Sequence, residues 1–280
     1  MKWFTKKERP LPEGVICRNC DTPMTGRYCH QCGQDFFAGK GIPILKLIGQ
    51  VLENAFALDG KTPKTLAFLL IRPGFLSSEY MKGRISRYVN PVKLFWMATL
   101  IFFALVFINL DNLNLQNNEN MNFKLGGNNI TNVSFVETLL HFFSKFAPYI
   151  SFLFIPFFAL LLALFFWRNK YYYVHHLIFT IHFHTFLWIY SSLILIFNIF
   201  FTVSLPNWCQ NILILTPGIY FVVALHQFYL FKVNNLKSWW QTIWKSLFIT
   251  FTYFLVVSII TVSIFVLFIK IKYPELMANS

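Results

Sequence analysis

Carboxylates are few in this chain. Eleven Asp and Glu stand against 24 Lys and Arg, and Glu137 is the sole acidic residue between Asn120 and Lys270. Paired-carboxylate acid–base chemistry is thereby excluded from that stretch. No glycine loop that could cradle phosphate and no GxSxG elbow occurs, and no internal repeat. The apolar segments do not alternate with period two, which excludes a membrane β-barrel. The opening MKWFTKKERPLPEG is basic but has no apolar stretch or small-residue cleavage site, so no signal peptide is expected to be removed. Cysteine is scarce: the chain has five, and only Cys209 lies beyond the first 32 residues.

Apolar side chains fill the space left by charge. Hydrophobic residues make up 56%, Phe alone numbers 35, charged residues are 12%, and the mean hydropathy is +0.53. A soluble domain does not look like this. Apolar runs at Pro91 to Leu110, Ala147 to Trp167, Val174 to Val203, Asn211 to Phe231 and Trp240 to Ile269 are each long enough, at about 1.5 Å per residue, to cross about 30 Å of hydrocarbon. The expectation is an all-α integral membrane protein with five spanning helices.

Cations set the expected orientation. Fourteen Lys and Arg precede the first span; the second and fourth connections add Arg168, Lys170, Lys232 and Lys237, whereas the first holds Lys124 and Lys145 and the third has none. The positive-inside rule then puts the N-terminus in the cytoplasm and the C-terminus outside. Topology accounts for the net charge of +13 without nucleic acid.

The chain divides into a tail (1–16), a cysteine ribbon (17–34), a stretch of interfacial amphipathic helices with a basic juxtamembrane element (42–90), a membrane domain (91–269) and a C-terminal tail (270–280). In IPILKLIGQVLENAFAL, apolar positions recur at helical spacing with Lys46, Gln50 and Glu53 opposite, the pattern of a helix lying flat on a bilayer. Thr62 and Pro63 look like an N-cap and first-turn proline, opening a short helix that Pro73 and Gly74 stop. Arg72, Lys82, Arg84 and Arg87 then crowd the mouth of the first span, as candidate contacts to anionic lipid headgroups or as a topology anchor. The Asn-rich segment 111–134 reads as a loose external loop.

The ribbon carries the most specific signal. In CRNCDTPMTGRYCHQCGQ, Cys17 and Cys20 form one CxxC and Cys29 and Cys32 another. Two thiolates on one tight turn grasp one ion, and a hairpin brings round the second turn, which predicts a structural Zn2+ in a closed four-sulfur tetrahedron. A core so small needs the metal to fold. Disulfides are disfavoured in a reducing interior, and a thioredoxin-like scaffold for a redox dithiol is missing. His30 is not needed as a ligand.

This ribbon, followed by RPGFLSSEYMKGRISRYVNP and by spans containing HHLIFTIHFHTF, resembles a bacterial membrane-protein family known as domain of unknown function 3667. The resemblance implies a bacterial cytoplasmic membrane and brings no activity with it. Asp21 stands where that family's ribbon often has glycine.

HHLIFTIHFHTF places His175, His176, His182 and His184 in one span, and His226 lies in the next. Histidines at membrane depth are functional candidates. No two of the first four are three or four positions apart, so any shared site must recruit other helices. By helical rise, His182 and His184 sit about 12 to 15 Å inward and His226 about 8 Å, which makes these three a candidate polar site, with hydrogen-bonded structural histidines as the plainer reading. Three functional readings follow: a non-enzymatic scaffold or accessory subunit, with the bilayer and a protein or second copy of the chain as partners; a small transporter or membrane enzyme working through those histidines; and a membrane-tethered regulator.

Overall fold

The computed structural model describes residues 14–36, 60–112, 122–125, 128–131, 152–169, 171–201, 206–230 and 236–272. Among the described residues there are seven α-helices: α1 (Thr62–Ile71), α2 (Phe75–Met81), α3 (Pro91–Asn112), α4 (Phe152–Phe165), α5 (Tyr173–Phe200), α6 (Asn207–Leu230) and α7 (Leu236–Lys272). Of these, α3, α5, α6 and α7 are long and apolar enough to cross a membrane. The protein is a helical membrane protein. The described part of the predicted second span is α4, shorter than a crossing by itself. The flat helix expected over 42–58 lies outside the described residues. Two short antiparallel strands, β1 (Asn122–Leu125) and β2 (Asn128–Thr131), pair within the Asn-rich segment.

Local chemistry sets the boundaries. Asn90 caps α3 by accepting the Val92 N–H at 3.0 Å, and Pro91 takes the first helical position, where no N–H is needed. Thr62 is the first residue of α1 rather than its cap; Lys61 holds the cap position and makes no side-chain cap bond. The chain turns at Pro73–Gly74. Gly74 adopts φ +74°, and a Cβ there would lie 2.6 Å from the Ala224 carbonyl oxygen. Only glycine allows this turn to press so closely on α6.

The α1–α2 hairpin packs into the bundle. Leu69 and Leu76 from the hairpin, Leu94 from α3, Phe158 from α4, Phe179 from α5 and Leu225 from α6 join one core, and α5 is buried on every side from His176 to His182. Tyr220 Oη donates to the Leu69 carbonyl at 2.6 Å, and Ser77 Oγ lies 3.0 Å from His182 Nδ1. These α5 and α6 positions stand about 14–15 Å along their helices from Tyr173 and Leu230. For 62–81 the hairpin therefore packs one face into the bundle, while Lys64, Ala67, Ile71 and Arg72 stay exposed.

Two tyrosines solve the same backbone problem. The carbonyl of Leu213 would normally accept from residue 217 and that of Leu69 from residue 73, but both are prolines and have no N–H. Tyr190 Oη donates to Leu213 O at 2.9 Å, as Tyr220 does to Leu69 O. A hydroxyl from a neighbouring helix satisfies each orphan, as a medium without water requires. Toward the other end of the bundle, Leu193, Ile196, Phe200, Ile212 and Ile214 are exposed, so among the described residues α5 and α6 are packed tightly at the hairpin end and sparsely at the far one.

Candidate metal centre and its seat on the bundle

The ribbon is two similar turns face to face. In the first, the Asp21 N–H reaches back to Cys17 O at 2.9 Å and the Cys17 N–H bonds Thr22 O; in the second, the Gly33 N–H bonds Cys29 O at 2.8 Å and the Cys29 N–H bonds Gln34 O. Isolated bridges Ile16↔Pro23 and Tyr28↔Asp35 extend each turn. The residue after each CxxC is left-handed: Gly33 at φ +72° and Asp21 at φ +59°. Asp tolerates that region better than most side chains, which is how the first turn survives without glycine.

The four sulfurs converge. Their Sγ atoms all lie within 4.8 Å of one another, with Cys17–Cys32 at 3.6 Å and Cys20–Cys29 at 3.5 Å. A disulfide would need about 2.05 Å. A regular tetrahedron with metal–sulfur bonds of about 2.3 Å has edges of about 3.8 Å, close to the observed spacing. The quartet thus fits a metal ion bound by sulfur alone. Burial pushes the Cys17 thiol up to about 12, whereas the Thr22 hydroxyl and backbone bring Cys20 down to about 6. A cation must displace protons here, so its binding tightens as pH rises.

The second turn is also a clamp. Gln34 is buried; its amide nitrogen donates to Gly83 O, and its amide oxygen accepts the Ser86 N–H at 3.2 Å. The first turn leans on the same loop, because Arg18 Cδ would stand 3.1 Å from a Cβ at Gly83. Glu79, buried at the end of α2, holds the loop from the other side through Arg84 at 3.0 Å and Lys82 at 3.1 Å. Burial would raise the Glu79 carboxyl, but these two cations outweigh it and keep it below the usual range. Val89 N–H to Thr65 Oγ1 and Lys61 Nζ to Ser86 O tie the loop to α1.

The candidate headgroup residues divide. Lys82 and Arg84 are engaged by Glu79, Arg72 lies over the Phe68 and Phe75 rings at 5.3 and 5.6 Å, and Arg87 is exposed. The histidines find separate partners. His182 meets Ser77; His184 Nδ1 meets the Thr180 carbonyl and its Nε2 meets Tyr253 Oη at 3.1 Å; His176 bonds Tyr229. His226 stacks on Trp239 at 3.6 Å, its Nε2 buried and without a hydrogen-bond partner among the described residues. Among the described residues, the cysteines are the one group of three or more His, Cys, Asp or Glu whose ligand atoms converge. Gln34, Ser77 and Glu79 were missed by sequence reasoning. Gln34 had one available signal, its place directly after the second CxxC and its glycine.

Fold and site together define a helical membrane protein bearing a four-cysteine ribbon seated on its own juxtamembrane loop. Residues 59–103, from the start of α1 into α3, match the family described as "Protein of unknown function (DUF3667)", the family that the motifs resemble. No curated protein and no solved structure matches the chain.

Proposed function

We propose that this protein is a non-enzymatic membrane scaffold or accessory subunit, whose ribbon is folded around a structural Zn2+ and presents a docking surface beside the bilayer. The convergence of four sulfurs carries the reading. With every ligand position taken by the protein, none remains for a substrate or an activated water. The ribbon is also fastened to the bundle through Gln34, which makes it a rigid handle. Its thiols need a reducing compartment, and the cation distribution favours the same assignment: N-terminus in the cytoplasm of a bacterial cell, C-terminus in the periplasm. The partner is a protein or a second copy of the chain, and the exposed Arg72 and Arg87 suit anionic headgroups.

Purification in mild detergent with native neighbours, followed by identification of co-eluting chains, tests this. A stoichiometric partner or a defined homo-oligomer supports the scaffold; a lone monomer counts against it. The unpartnered Nε2 of His226 favours a second reading, a transporter or membrane enzyme using His182, His184 and His226. Replacing His182 and His226 by Phe separates the two, since a scaffold would keep its cellular role and a transporter would lose it.

A further inference from the structure

The strongest contacts of the ribbon run inward. Gln34 belongs to the second cysteine turn by its backbone, since its carbonyl accepts the Cys29 N–H at 3.0 Å, and to the juxtamembrane loop by its side chain, which holds Gly83 O and the Ser86 N–H. The loop is bound in turn to α1 at Thr65 and Lys61 and to α2 at Glu79, and α2 places Ser77 against His182 within the bundle. Each of these groups is a directed polar contact, and Gln34, Ser77, Glu79 and His182 are all buried. A contiguous series of bonds thus leads from the cysteines to a histidine in the membrane domain.

We propose that the ribbon is a metal-dependent latch on the α1–α2 hairpin: with the four-cysteine site loaded, Gln34 and Arg18 clamp Gly83–Ser86 and hold the hairpin in its seat between α5 and α6, and loss of the metal frees it. The physical reason is the size of the ribbon. Two turns and two isolated bridges bury little apolar surface, so the metal is their main source of folding free energy. Without it the backbone that aims the Gln34 amide is no longer fixed. Gly83 O and the Gln34 side chain then lose partners while buried, as does the partly buried Ser86 N–H, and the favourable course is for the loop to move into water. The bilayer-embedded half of the molecule thereby registers whether a divalent soft-metal ion is available outside it. This latch requires the metal occupancy proposed above but not the docking partner.

Hydrogen exchange with mass spectrometry on the full chain in detergent micelles tests it, with metal content measured on the same samples. In loaded wild-type protein, amides of residues 62–88 should be protected. Chelator treatment should speed exchange both in the ribbon and across 62–88, by about tenfold or more in the loop. Loaded Gln34→Ala, with all four thiolates present, should keep its metal and the ribbon's protection yet show the same acceleration over 62–88. Gln34→Glu, whose carboxylate would face the Gly83 carbonyl oxygen with no proton to share, should accelerate exchange over 62–88 at least as much as Gln34→Ala. Unchanged exchange in α7 certifies that the bundle is intact in every sample. Chelated protein that loses ribbon protection while 62–88 stays slow overturns the latch, and so does loaded Gln34→Ala indistinguishable from wild type. Wild-type protein that binds no metal at all removes both the latch and the metal reading, an outcome that the metal assay tells apart from the other two.

Discussion

Asp21 and Gly33 hold equivalent left-handed positions, and their difference can be measured. Asp21→Gly should leave metal content unchanged, whereas Asp21→Val, a β-branched residue forced to positive φ, should cost about 1–2 kcal/mol and let a competing chelator strip the ion about tenfold more readily. Cys29→Ser should lower bound metal well below the level of about one ion per chain that four thiolates predict; full occupancy in that variant would overturn the four-sulfur site. Glu79 supplies a pH test. Its carboxyl is held below the usual range in the folded protein, so its stabilisation is fully present above the unfolded value of about 4.3 and disappears as pH falls through the lower folded value. The melting difference between wild type and Glu79→Gln should be constant near neutrality and shrink as pH drops below about 4.3.

At the scale of elements, the tyrosine hydroxyls that cover proline-freed carbonyls give a double-mutant cycle. Tyr190→Phe alone strands Leu213 O and should cost about 1 kcal/mol; in a Pro217→Ala background residue 217 regains its N–H, and the same substitution should cost much less. Equal costs in both backgrounds would refute the assignment. Such pairings also show where sequence reasoning stops. The helices of the hairpin were legible because Pro63, Pro73 and Gly74 act on their immediate neighbours, and the spans because every residue of a long apolar run repeats the same message. The cysteine turns were legible because two CxxC pairs leave few other uses for the thiols. Gln34 meets residues 83 and 86, Ser77 meets His182, and Tyr220 meets Leu69; these partners are 49 to 151 residues apart, and no local pattern announces them. Thr62 was misplaced by one position because a threonine before proline carries the same local signal as a cap.

For the whole molecule, sidedness is the property to establish first. The starts of α3, α5 and α7 share one end of an alternating bundle with the ribbon, and Cys209, in the first turn of α6, belongs to the opposite end. With the ribbon in the cytoplasm, an impermeant thiol reagent added to intact cells should modify Cys209 and leave Cys17, Cys20, Cys29 and Cys32 untouched until the cells are permeabilised and the metal removed. Labelling of the ribbon in intact cells would reverse the orientation and remove the reducing environment on which its thiolates depend.

The uneven packing of α5 and α6 has a mechanical meaning. Among the described residues, helices gathered at one rim by the hairpin and sparsely covered at the other resemble tent poles lashed at a single end. A change in bilayer thickness or lateral pressure would be taken up by splaying at the untied rim, while the spacing around His182 stays set by the lashing.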